Sequence, residues 1–132
     1  MARILVVDFD GVIHSYTSGW QGAAVVSDPP VKGALEFLAK ASDHFEVAIY
    51  SSRSGQPGGI DAMRNWLWRH VTGHGPEEAG SSPGWLVHVK WPTSKPPAFL
   101  TLDDRAIRFD GKFPPLSELV NFKPWNYGAI HG

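Results

Sequence analysis

Arg3-Ile4-Leu5-Val6-Val7-Asp8-Phe9-Asp10-Gly11 is the stretch that decides the fold. Its four central residues are apolar, three of them are β-branched, and none alternates with a polar neighbour. That pattern suits a strand buried on both faces, as in a parallel sheet. Two acids stand at its C-terminal end and a glycine follows them. In parallel α/β sheets the functional residues collect outside the carboxyl ends of the strands. The stretch therefore predicts both a central strand and a site at its end.

Outward from it, residues 14–27 are rich in Ser, Thr, Gly, Tyr and Trp without a period, and predict a loop or small hairpin. Asp28-Pro29-Pro30 predicts a helix start, with Asp28 as cap and proline in the first turn. Val31, Leu35, Leu38 and Ala39 give that helix its apolar stripe. Residues 44–51 contain Phe45, Val47, Ala48, Ile49 and Tyr50 and predict a second buried strand. Ile60, Met63, Leu67 and Val71 share one helical face, and Gly73 ends the helix. Residues 86–89 predict a short third strand, 98–102 a fourth, 106–109 a short fifth, and 116–122 a last helix. Strands alternating with helices give an α/β fold with a mainly parallel sheet. Polar residues then follow three strands at one sheet edge: Asp8 and Asp10, Ser51 to Arg53, and Asp103 and Asp104.

The bulk numbers narrow the class. A chain of 132 residues suits a single domain, spanning 1–132, and no linker divides it. Twelve basic and 13 acidic residues leave a formal net charge of -1, which does not advertise a nucleic-acid binder. There is no cysteine, so disulfides and thiolate metal sites are excluded. No stretch reaches the ~20 apolar residues that span a bilayer, and the N-terminus lacks a secretory pattern. The expected location is the cytoplasm, without a membrane partner.

The polar set suits phosphoryl transfer, which needs a nucleophile, charge neutralisation and a proton donor for the leaving oxygen. Asp8 can attack phosphorus and carry an aspartyl-phosphate. Asp10 can protonate the leaving group and then activate water. Converging carboxylates repel one another, and a divalent cation relieves that repulsion. An all-oxygen donor set favours magnesium. Ser51 can donate to a phosphate oxygen, and Lys95 can offset the charge of Asp8 and the transferring group. Lys90 rivals Lys95 for that role.

Asp8-Phe9-Asp10-Gly11-Val12-Ile13 after an apolar strand resembles the first motif of the haloacid dehalogenase superfamily. Ser51, closing Val47-Ala48-Ile49-Tyr50, resembles the second motif, Lys95 the third and Leu102-Asp103-Asp104 the fourth. The resemblance covers residues 2–110 in order. It implies a Rossmann-like three-layer sandwich and a magnesium-dependent phosphatase. In that reading Asp8 is nucleophile and metal ligand. Asp10 is general acid/base and reaches the metal through its backbone carbonyl. Ser51 and Lys95 bind the phosphoryl group. Asp104 is the favoured further ligand, and Asp103 orients Lys95 or a metal-bound water. Ser51-Ser52-Arg53 and Asp103-Asp104-Arg105 are similar to segments of the polynucleotide 3′-phosphatase domain of phage kinase-phosphatases. That similarity implies that Ser52 and Arg53 join the phosphate-binding set, with Arg53 gripping bidentately. The implied substrates are nucleotides or polynucleotide ends.

Residues 11–28 leave room for a flap and not for a cap domain. His14, Tyr16 and Trp20 are its candidate substrate contacts, the aromatics by stacking on a base. Trp66 and Trp68 lie on different sides of their predicted helix, which points to one exposed tryptophan and a homo-oligomer. His70 and His74 have i, i+4 spacing, but Gly73 falls between them and argues against zinc. Two other classes stay open: a receiver-like phospho-aspartate signalling module, and a non-catalytic binding domain on the same fold. A receiver carries its acid pair after the first strand; here the pair follows a late strand.

Overall fold

The computed structural model describes residues 3–127. Strand β1 (Ile4–Val7) is the centre of a three-stranded parallel sheet, flanked by β2 (Glu46–Ile49) and β3 (Leu100–Leu102) in the order β2-β1-β3. Val7 lies opposite Ile49 on one side and Leu102 on the other. The register carries on past the strands. Asp8 N–H donates to the Leu102 carbonyl (3.0 Å) and Tyr50 N–H to the Val7 carbonyl (3.2 Å). Asp8 therefore emerges between the ends of both neighbours. Leu5, Val6 and Val7 are all buried, as expected for a strand covered on both faces. Each such side chain contributes roughly 1.5–3 kcal/mol by leaving water.

Helix α1 (Ala34–Ala41) turns Ala34, Leu38 and Ala41 inward. Helix α2 (Gly59–Thr72) buries Met63, Trp66, Leu67 and Trp68 and stops at Gly73. Short helices α3 (Gly84–His88) and α4 (Leu116–Val120) complete the described elements. The core joins β1 and β2 to Phe9, Ile13, Leu38, Met63, Trp66, Leu67, Leu86 and Val89. No helix among the described residues is long and apolar enough to cross a membrane.

The predicted helix start at Asp28 is wrong, and α1 begins six residues later. Ser15 N–H donates to the Pro29 carbonyl (2.9 Å) and Val31 N–H to the Ile13 carbonyl (2.8 Å). These bonds hold 29–31 extended beside 13–15, and the Asp28 carboxylate is occupied by Ser18. The expected strand over 86–89 is instead α3. Pro83 precedes it in an extended conformation, and Leu86 and Val89, three apart, turn into the core together. The sheet contact falls one residue later. Lys90 bonds Val47 and Ile49 at 2.9 Å each in a single parallel bridge on the far side of β2. Residues 106–109 form no strand. They follow β3, the sheet edge, and gain no ladder partner. Trp66 and Trp68 are both buried, 6% and 4% exposed, against the expectation that one faces solvent. Trp66 packs beneath Phe9 and His14, and Trp68 donates to Ser82 Oγ (3.1 Å) in the following loop. Neither is left over for an interface.

Candidate active site

Asp8 at the end of β1 meets Asp103 and Asp104 at the end of β3. One carboxylate oxygen from each lies within 4.8 Å of the others. Adjacent parallel strands in this register deliver both acid groups to one spot, so the cluster follows directly from the sheet. Gly11, at φ +83°, makes room for it. A Cβ at Gly11 would run into the Asp104 carboxylate. Asp104 Oδ1 is buried without a hydrogen-bond partner among the described residues. Three carboxylates converging beside an unpartnered carboxylate oxygen fit a hard divalent cation with oxygen ligands. Asp8, Asp104 and Asp103 are the residues that would hold it.

The electrostatics separate the two acids of Asp8-Phe9-Asp10. Burial pushes the Asp8 carboxyl up to about 8, opposed by a hydrogen bond from the Phe9 backbone and reinforced by the charges of Asp103 and Asp104. Asp104 is also raised, chiefly by burial, while sharing a hydrogen bond with Asp8. Asp10 moves the other way. Burial works against its charge, but hydrogen bonds from His14 and Arg53 outweigh that, and its pKa falls below the usual value. His14 Nδ1 lies 2.9 Å from one Asp10 oxygen and Arg53 Nε 2.8 Å from the other. The backbone N–H of Asp28 donates to His14 Nε2 (3.0 Å), which places the ring proton on Nδ1, facing Asp10.

A cleft of about 270 Å³ opens over these groups, lined by Asp8, Asp10, Tyr16, Trp20, Ser52, Asp104 and Arg105. The other expected site residues sit differently. Ser51 is buried: its hydroxyl donates to Met63 Sδ (3.6 Å) and accepts from Arg53 N–H (2.9 Å), while Ser52 faces the cleft. Arg53 is fully buried and bound to Asp10 and to the flap, so it does not stand ready to grip a phosphate. Lys95 and Lys90 are both exposed and line no part of this cleft. His14, expected on the flap surface, is 1% exposed and belongs beneath it. Tyr16 and Trp20 do reach the cleft. The Tyr16 hydroxyl is raised by burial and then by the charge of Asp10, and it stays protonated.

Sequence reasoning missed three contributors. Asp28 receives Ser18 N–H and Oγ at 2.8 and 2.6 Å, closing the flap on itself. Trp66 Nε1 donates to the Asp28 carbonyl (2.9 Å). Trp125 Nε1 donates to the Gly11 carbonyl (2.7 Å) from 114 residues away. Only the last lacked any local signal; the acid at 28 was legible but was read as a helix cap. No family model, curated protein or solved structure matches the chain.

Proposed function

We propose that the protein is a magnesium-dependent phosphomonoester hydrolase of the haloacid dehalogenase type that works through an aspartyl-phosphate on Asp8. The observation that carries this reading is the meeting of Asp8 with Asp103 and Asp104 at the ends of adjacent parallel strands, beside an Asp10 held as carboxylate. A carboxyl raised to about 8 is protonated and a poor nucleophile at neutral pH. Magnesium would supply the positive charge that ionises Asp8 and neutralises the phosphoryl oxygens.

In the first step an Asp8 oxygen bonds to phosphorus as the ester oxygen departs with a proton from Asp10. For this step Asp10 would take up a proton as substrate binds, the anionic phosphoryl group beside it offsetting the lowering by His14 and Arg53. In the second step Asp10 takes a proton from water. The water oxygen bonds to phosphorus, the Asp8–phosphorus bond breaks, and inorganic phosphate leaves. Ser52 and Arg105 are the cleft-lining donors for the phosphate, and Tyr16 and Trp20 offer aromatic surface to the leaving group. That combination supports a nucleotide or polynucleotide end as substrate.

Phosphate release with and without magnesium tests the proposal. The panel is nucleoside monophosphates, 3′- and 5′-phosphorylated oligonucleotides and an aryl phosphate, with Asp8→Asn as control. Magnesium-dependent, repeated turnover that vanishes in the control is the expected result. A single phosphorylation without repeated release would indicate a receiver-like module, and full activity in Asp8→Asn would remove the nucleophile.

A further inference from the structure

Arg53 has no exposed surface. A buried guanidinium is tolerated only when paired and hydrogen-bonded. Nε donates to Asp10 Oδ2 (2.8 Å), 43 residues earlier in the chain. Nη1 donates to three flap carbonyls, those of Gly22, Ala23 and Val25, each at 2.9 Å. One planar group thus holds the carboxylate and three points of the flap backbone.

The mount of Arg53 is itself rigid. Its N–H is tied to Ser51 Oγ, and its carbonyl accepts from Gln56 N–H (3.1 Å). That carbonyl also lies against Gly59, where a Cβ would not fit. The second oxygen of Asp10 leads back to the flap as well. It binds His14 Nδ1, and His14 Nε2 accepts the N–H of Asp28 at the flap's far end. Trp20, on the flap, lies over the guanidinium at 5.0 Å and forms part of the cleft wall. Among the described residues, both side-chain hydrogen bonds that fix the Asp10 carboxylate are therefore made by groups that also fix the flap. Arg53 Nη2 is buried and has no partner among the described residues, so the guanidinium turns no donor toward solvent.

We propose that Arg53 is a positioning residue that locks the flap and Asp10 together, so that the flap's seating and the alignment of the acid/base are one structural event. The kinetic half of this proposal rests on the phosphatase reading; the structural half does not. Lysine cannot substitute, because a single ammonium lacks the fork that serves Asp10 and three carbonyls at once. Asp10→Asn offers one acceptor oxygen to two donors, so either Arg53 or His14 loses its partner.

The test combines amide hydrogen exchange with steady-state kinetics on an aryl phosphate, for wild type, Arg53→Lys and Asp10→Asn, with melting curves to confirm folding. The amides of Ser18, Val25 and Asp28 are hydrogen-bonded within the flap and report its seating. Both substitutions are expected to speed their exchange about tenfold, the loss of one charge-assisted hydrogen bond, while β1 amides stay unchanged. Arg53→Lys is expected to lower kcat about 100-fold with KM within about threefold, because misplacing a catalytic group costs rate more than binding. Wild-type flap exchange in Asp10→Asn would overturn the coupling. A rise in KM with kcat intact in Arg53→Lys would make Arg53 a phosphate ligand and overturn the positioning role. Should Arg53→Lys not fold, Asp10→Asn decides alone. Absence of turnover in the wild type would sink the phosphatase reading and leave the exchange result to judge the lock.

Discussion

Asp8 and Asp10 stand two positions apart and are driven in opposite directions by their surroundings. Asp8 faces acids, and Asp10 faces a guanidinium and an imidazole. Pairs of titratable groups pushed apart in this way mark the division of labour in acid–base sites. The proposed roles follow that division, and each residue carries a distinct prediction. Asp8→Asn is expected to abolish phosphate release, a loss of at least ~10⁴-fold, while leaving the far-ultraviolet circular dichroism unchanged. Activity within tenfold of wild type would exclude Asp8 as nucleophile. Gly11→Ala addresses the metal cluster without touching a carboxylate. Its Cβ collides with Asp104 and its φ of +83° strains any residue but glycine. The expected outcome is a magnesium affinity, read by titration calorimetry, weakened about tenfold or more, with a stability cost on the order of 1–2 kcal/mol. Unaltered magnesium binding would show that Asp104 is not drawn into the cluster by this turn.

The flap is held as an element by groups that reach it from elsewhere. Trp66 on α2 sends its indole N–H to the Asp28 carbonyl and sets its ring edge-on to Phe9 and His14. Trp66→Phe keeps most of the packing and removes the donor, and is expected to cost about 1–2 kcal/mol in urea unfolding. A neutral result would mean water replaces that bond. Trp20 stands 49% exposed on the cleft wall, so its removal bears on the substrate and not on the core. Trp20→Ala is expected to lower kcat/KM for a nucleotide about tenfold or more, with a smaller effect on a generic aryl phosphate. Equal losses on both would assign Trp20 to structure. The elements themselves differ in how legible they are in sequence. β1, β2 and α2 were readable because burial on both faces, or a 3.6-residue stripe, leaves a pattern in the residues themselves. Residues 86–89 were not, because Leu86, Val87 and Val89 in a four-residue stretch fit a strand or a helical turn equally well, and Pro83 at the N-cap decides. The start of α1 was hidden by a tertiary bond between Pro29 and Ser15. In the site, the aspartates at strand ends were legible from topology, whereas the burial of His14 and Arg53 depends on contacts 14 to 43 residues away.

For the whole molecule, the acidic cluster joins the best-packed strand to the least-covered one. β1 is buried from Leu5 to Val7, while all three residues of β3 are exposed at the sheet edge. A cation bridging Asp8 to Asp103 and Asp104 would tie that edge to the centre, and its effect should depend on pH with a definite sign. The pKa of Asp8 is raised in the folded state, so its contribution to stability is fully present below its unfolded value near 3.8 and is lost as pH rises toward about 8. Asp104 is raised too and acts in the same direction. Asp10, lowered, acts in the opposite sense, with its contribution lost only as pH falls below the ordinary carboxylate range. Metal-free protein should therefore lose stability between about pH 4 and pH 8, because the unfolded chain ionises these carboxyls while the fold keeps them protonated. Magnesium at the proposed site would bind the ionised form, so its stabilisation, RT ln(1 + [L]/Kd), should grow over the same interval. The measurement is thermal unfolding at pH 5 and pH 8, in EDTA and in 10-fold steps of magnesium. The expected Tm gain from magnesium is several degrees at pH 8 and near zero at pH 5. Asp8→Asn removes the buried charge and should raise the metal-free Tm at pH 8 by about 6 °C, on the order of 2 kcal/mol, while abolishing the response to magnesium. In hydrogen exchange, magnesium should protect residues 100–104 far more than α2, because a cation held by Asp8, Asp103 and Asp104 would tie down β3 and not that helix. Equal magnesium effects at both pH values, or protection spread evenly over the chain, would place the cation elsewhere and remove the strand-end carboxylates as its site.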